Sequence, residues 1–135
     1  MILCEVISMN LFLTSDIIKK YDGSDYIEIQ YCRLSSPLKT IVSVDSIRFK
    51  KVDSLFVRGD DMNLFYEQYC GIFGNGFYNN EKCGTMDLCG INYYPPASVT
   101  VILKELMTQK PLDYETLADW LKQASETNGI YILGE

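Results

Sequence analysis

The sequence predicts an α+β domain in which an antiparallel sheet packs against about three helices. Two observations carry that expectation. Short runs of alternating apolar and polar residues, separated by polar links, fill residues 1–58 and read mainly as strands with one solvated face. Three stripes at helical spacing follow, and the last two are bracketed by proline, cap and glycine signals over 95–135. A chain of 135 residues, 47% hydrophobic and 22% charged, is long enough to bury one core, so a single domain over 1–135 suffices.

Residues 2–13 alternate at Ile7, Met9, Leu11 and Leu13, yet Leu3, Val6, Ile7 and Leu11 also fit a helix, and both readings stay open. Thr14-Ser15-Asp16 starts one helical turn running to Lys20, closed by the Asp22-Gly23 turn signal. Residues 26–33 make a clearer strand, with Ile27, Ile29 and Tyr31 facing one way and Glu28 and Gln30 the other. Runs at 40–44, 47–51 and 55–57 extend this into a meander whose solvated side carries Arg48 and Lys50. Such a basic row guards a sheet face or edge more often than it binds anything.

Asp60 reads as the N-cap of a helix over 60–73, with Met62, Phe65, Tyr66, Tyr69, Cys70 and Phe73 along its stripe. Asp60 and Asp61 stand at the positive end of its dipole, a placement that explains both without catalysis. Over 74–94 regular periodicity stops, and glycine, asparagine and aromatic residues take over. A loop of that length in a compact domain is functional or mobile, although strands at Phe77-Tyr78 or around Met86 would shorten it. Pro95 and Pro96 then introduce a helix with the stripe Val99, Ile102, Leu103, Leu106 and Met107. Pro111 ends it, and Asp113 reads as the next N-cap, with Leu112 and Leu117 as a hydrophobic staple. Leu117, Trp120, Leu121 and Ala124 form the second stripe, Asn128-Gly129 stops it, and 130–133 reads as a short apolar strand.

Composition narrows the function classes. The chain has no histidine, which removes the commonest general base and metal ligand and excludes Ser-His-Asp and Cys-His catalysis within it. The net charge is −6, with +1 on residues 1–58 and −7 on 59–135, so the second half repels phosphate backbones and direct nucleic-acid binding is not expected. A basic protein partner would be attracted instead. Cys4, Cys32, Cys70, Cys83 and Cys89 show no Cys-x-x-Cys pair, which argues for reduced thiols and against zinc, even with Asp87 as a fourth ligand. No secretory signal or membrane-spanning run is evident, so the expectation is a soluble cytoplasmic protein without cofactor, metal or membrane association. Gly71-x-x-Gly74-x-Gly76 lacks the lysine of a P-loop and follows no clear strand, so its glycines serve turns rather than a nucleotide.

Recognition remains. Ten tyrosines and six phenylalanines are an aromatic excess suited to a binding surface or to a core. The candidate partner-binding set is Asp60, Asp61, Glu67 and Asp87 for charge, with Tyr66, Phe77, Tyr78, Tyr93 and Tyr94 as anchors.

A small, acidic, tyrosine-rich, histidine-free domain without a catalytic set resembles the immunity proteins of bacterial toxin–immunity systems, such as contact-dependent inhibition or polymorphic toxins. The stretch TLADWLKQASETNGIYILGE is similar in layout to the last helix and strand of the barstar-type ribonuclease inhibitors. The likeness covers that helix and strand alone, and no inhibitory residue carries over from it. It implies a non-enzymatic protein that binds one cognate, basic, nuclease-like toxin domain. Two other classes stay open. One is a subunit or regulatory module of a stable complex, and the other is a histidine-free enzyme using a cysteine or carboxylate in 71–94.

Overall fold

A computed structural model describes residues 10–20, 26–33, 52–74, 77–78, 81–82, 86 and 90–134. The order is α1 (Ser15–Ile18), β1 (Tyr26–Tyr31), β2 (Leu55–Arg58), α2 (Met62–Tyr69), β3 (Phe77–Tyr78), β4 (Glu81–Lys82), β5 (Ile91–Tyr94), α3 (Pro96–Gln109), α4 (Tyr114–Lys122) and β6 (Ile130–Leu133). The six strands form one sheet in the order β2-β1-β6-β5-β3-β4, and every neighbouring pair is antiparallel. The α+β class is as expected. The sheet, however, is not confined to the first half of the chain. The C-terminal strand β6 lies at its centre, pairing Ile29 with Ile132 on one side and Asn92 with Ile132 on the other.

Strand alternation sends Ile27, Ile29 and Tyr31 of β1, Leu55 and Val57 of β2, Tyr94 of β5, and Ile130 and Ile132 of β6 to one face. There they join the buried stripes of the helices: Phe65 and Tyr69 of α2, Val99, Ile102 and Leu106 of α3, and Leu117, Trp120 and Leu121 of α4. Leu103 is only half-buried and Met107 is exposed, so the α3 stripe is narrower than its spacing predicts. Helix α3 closes at Lys110, whose left-handed φ of 49° bends the chain into Pro111 without a glycine.

The opposite face departs from expectation. Glu28 and Gln30 are each 1% exposed, so this side of β1 is not solvated. The buried carboxylate is satisfied by a hydrogen bond from Gln30 Nε2 at 3.0 Å and another from Ser54 Oγ at 2.7 Å. Cys32, Tyr93, Tyr131 and Leu133 form a second apolar cluster on this same face. The runs at 40–44 and 47–51, with Arg48 and Lys50, lie outside the described residues.

The sheet and α4 are tied at one end by aromatic stacking. The Tyr31 ring lies on the Trp120 ring at 3.9 Å between centroids and 14° between planes. Tyr31 Oη donates to the Trp120 carbonyl at 2.7 Å, and Trp120 Nε1 donates to the Asp53 carbonyl at 2.7 Å. The Arg33 guanidinium sits 5.5 Å above the Tyr31 ring and pairs with the Asp53 carboxylate. Burial, and secondarily the Asp53 charge, push the Tyr31 phenol up to about 12.

Candidate interaction surface

Helix α2 and the 3-10 turn leading into it carry four of the nine candidate residues, Tyr66 and Glu67 on the helix and Asp60 and Asp61 on the turn. The helix begins not at Asp60 but after a 3-10 turn over Gly59–Asp61, and it ends at Tyr69 rather than 73. Neither aspartate caps it through its side chain. Asp61 Oδ2 instead accepts from Arg58 Nη2 at 3.2 Å, because the 3-10 turn places residues 58 and 61 on one side. Asp60 and Glu67 are exposed, Asp61 is half-buried, and Tyr66 is half-buried against the core. Asn63 is exposed with them and was missing from the candidate set, although its spacing from Asp60 and Glu67 marks the same side of a helix.

The inner side of α2 is fixed by several bonds. Phe65 and Tyr69 stack with centroids 5.4 Å apart. Tyr69 Oη donates to the Leu112 carbonyl at 2.6 Å, and Gln68 Oε1 accepts from the Leu112 amide at 2.9 Å. The helix is therefore pinned to the turn between α3 and α4. Burial pushes the Tyr69 phenol up strongly, with the Asp113 carboxylate adding to it. Asp113 occupies the N-cap position of α4, but its carboxylate accepts from Thr116 Oγ1 at 2.6 Å and from the Phe12 amide at 3.0 Å, not from a backbone N–H of its own helix.

Four of the remaining candidates lie on strands of the sheet. Residues 91–94, taken as loop from their sequence, form the sheet strand β5. Tyr94 is fully buried with its hydroxyl donating to the Phe73 carbonyl at 3.0 Å. Tyr93 is buried against Tyr131 and donates to the Asn128 carbonyl at 2.8 Å. Both rings are used up by the interior, so neither can anchor a partner. Phe77 and Tyr78 lie on β3, paired through the backbone with Tyr93 and Asn92. Asp87 falls outside the described residues.

Cys32 is buried with its Sγ donating to Tyr131 Oη at 3.3 Å, and Cys70 is half-buried. Burial, then this hydrogen bond, raise the Tyr131 phenol far above its ordinary value. Cys4, Cys83 and Cys89 lie outside the described residues. Among the described residues, no three Cys, Asp or Glu side chains gather as metal ligands, and no helix is long and apolar enough to cross a membrane.

No protein-family model, curated protein or solved structure matches the chain. The surface must be read from its own chemistry.

Proposed function

We propose that this chain is a non-enzymatic binding protein that presents the outer side of α2 to a basic protein partner, and that it acts as an immunity protein neutralising a nuclease-like toxin domain. The observation that supports this most is the division of α2. Its inner side is locked by Phe65, Gln68 and Tyr69, while Asp60, Asn63 and Glu67 stand in solvent beside the half-buried Tyr66. No Lys or Arg occurs between Arg58 and Lys82, and Arg58 is engaged by Asp61. Asp60 and Glu67 are therefore exposed carboxylates with no cation on α2 or on the 3-10 turn before it. Such carboxylates steer a cationic partner, and a helix already fixed from behind loses little freedom on binding. Tyr66 adds an apolar body with a polar tip. A nuclease site built to hold phosphate has the complementary charge.

The test starts from the reading frame immediately upstream in the source genome. Its product is co-expressed with this chain, and complex formation and growth rescue are measured. A toxin retained by this chain is the expected result; a metabolic neighbour with no retained partner sinks the immunity reading. Reversing Asp60 and Glu67 to Lys should then slow association at low salt, with the difference shrinking at high salt. Unchanged association rates would dismiss this face.

A further inference from the structure

Residues 10–18 lie across the outer edge of β2. Leu13 and Phe56 exchange both backbone hydrogen bonds, each at 2.8 Å, in an isolated antiparallel bridge. The Phe12 ring meets Phe65 and Tyr69 edge-on, with centroids 5.9 and 5.3 Å away. Ser15 Oγ donates to the Val52 carbonyl at 3.1 Å, and Leu11, Phe12 and Leu13 are buried. The Phe12 amide finds no strand. It donates to Asp113 Oδ2 at 3.0 Å, across 101 residues of sequence, and Asp113 is itself held at a left-handed φ of 58°.

We propose that residues 10–18 form a strap that opens as a unit while the rest of the domain stays folded, with the Asp113 carboxylate as its latch. Strand β2 keeps its ladder to β1, which lies on its other side. The α3–α4 turn keeps its bonds to Gln68 and Tyr69. Among the described residues, lifting the strap costs one bridge, one side-chain bond, the latch and the burial of Leu11, Phe12 and Leu13, while every strand-to-strand ladder of the sheet stays intact. An element paired through one bridge belongs to the low-stability end of a structure, whereas β1 and β6 are paired on both sides. Opening uncovers the backbone of Phe56 on the edge of β2 and the inner rings of α2. The inference does not depend on what α2 binds.

Hydrogen exchange of the full chain, followed by NMR along a urea series, tests this. The amides of Phe12, Leu13 and Phe56 should exchange through an opening with weak urea dependence, and those of β1 and β6 with the steep dependence of complete unfolding. Equal slopes would overturn the proposal. Ile132→Val, which weakens the sheet centre outside the strap, should speed β1 and β6 exchange by about threefold or more and leave the strap amides unchanged. Strap amides that accelerate in parallel would also overturn it. Asp113→Ala removes the acceptor of both the Phe12 amide and Thr116 Oγ1; the lost Phe12 bond should speed strap exchange by about tenfold to a hundredfold relative to β1 and β6 in the same variant. Unchanged strap exchange in that variant would remove Asp113 as the latch. If the variant does not fold, the urea slopes of the unmodified protein and of Ile132→Val still decide.

Discussion

Gly129→Ala should be among the most damaging single-methyl additions to this protein. Gly129 has φ of +92°, and a Cβ built there would stand 2.2 Å from the Tyr94 carbonyl oxygen and 3.0 Å from Pro95 Cα. Both obstacles are backbone, so no rotamer change relieves them. A left-handed conformation costs a residue with a side chain about 1–2 kcal/mol before any clash. Relief of the clash must move either the β5–α3 junction or residues 128–129. Moving residues 128–129 strains two backbone bonds to Cys32, the Cys32 amide to the Gly129 carbonyl and the Asn128 amide to the Cys32 carbonyl, each at 2.8 Å. At about 1 kcal/mol each, these bring the total to roughly 3–4 kcal/mol. That is a large part of a typical stability of about 5–15 kcal/mol. The expected fall in Tm is roughly 10–20 °C, read by calorimetry and checked by urea melts in the far ultraviolet. Gly71→Ala is the control, because a Cβ at exposed Gly71 meets nothing within 4 Å. It should change stability by less than about 1 kcal/mol. A Gly129→Ala melt within a few degrees of the unmodified chain would show that the backbone around Tyr94 and Pro95 yields at little cost, refuting the clash as a source of instability.

Three other perturbations probe the interior. Tyr31→Phe keeps the stack on Trp120 but removes the 2.7 Å bond to the Trp120 carbonyl, and should cost about 1–2 kcal/mol by urea denaturation. A neutral result would mean that water replaces the hydroxyl. Glu28→Ala strips the acceptor from Gln30 Nε2 and Ser54 Oγ and should cost about 2–4 kcal/mol, more than Ser54→Ala, which leaves Gln30 as a donor to the carboxylate. Equal losses in the two variants would contradict this ranking. Alkali should unfold the protein in a defined window. Tyr31 is raised from 10.0 to about 12, and Tyr69 and Tyr131 are also raised, so the folded state keeps protons that the unfolded chain releases near pH 10. Stability from these groups is intact below pH 10 and is lost as pH climbs towards and past 12. Phenolate absorbance should show late-titrating tyrosines that ionise together with the loss of circular dichroism. Titration of every tyrosine near pH 10 without unfolding would count against their burial.

The C-terminal part was legible because its signals are local. Val99, Ile102 and Leu106, then Leu117, Trp120 and Leu121, repeat at helical spacing, and proline and glycine punctuate them. What the sequence hid depends on partners far along the chain. Residues 91–94 hold Asn92 among aromatics and look like loop. They become a strand because β6 pairs along their length and the Asn92 side chain donates through Nδ2 to the Ile132 carbonyl. The same pairing takes Tyr93 and Tyr94 from a supposed surface into the interior. Glu28 and Gln30 alternate like a solvated face, and only Ser54, distant in sequence, marks the carboxylate as buried. On α2 the outward residues could be read from spacing, but Asp61 could not be seen turning back to Arg58.

The central place of β6 also bears on how the fold is reached. Glu28 pairs with Leu133 and Tyr31 with Ile130, so the middle of the sheet closes between segments roughly a hundred residues apart. Without 130–133 the described strands divide into two ribbons, β2–β1 and β5–β3–β4, and the edges of β1 and β5 that β6 pairs with are left uncovered. A chain emerging from the ribosome must carry both ribbons open until this strand is available. Folding should therefore be late, slow and cooperative, and a chain cut before Ile130 should aggregate rather than form a smaller domain.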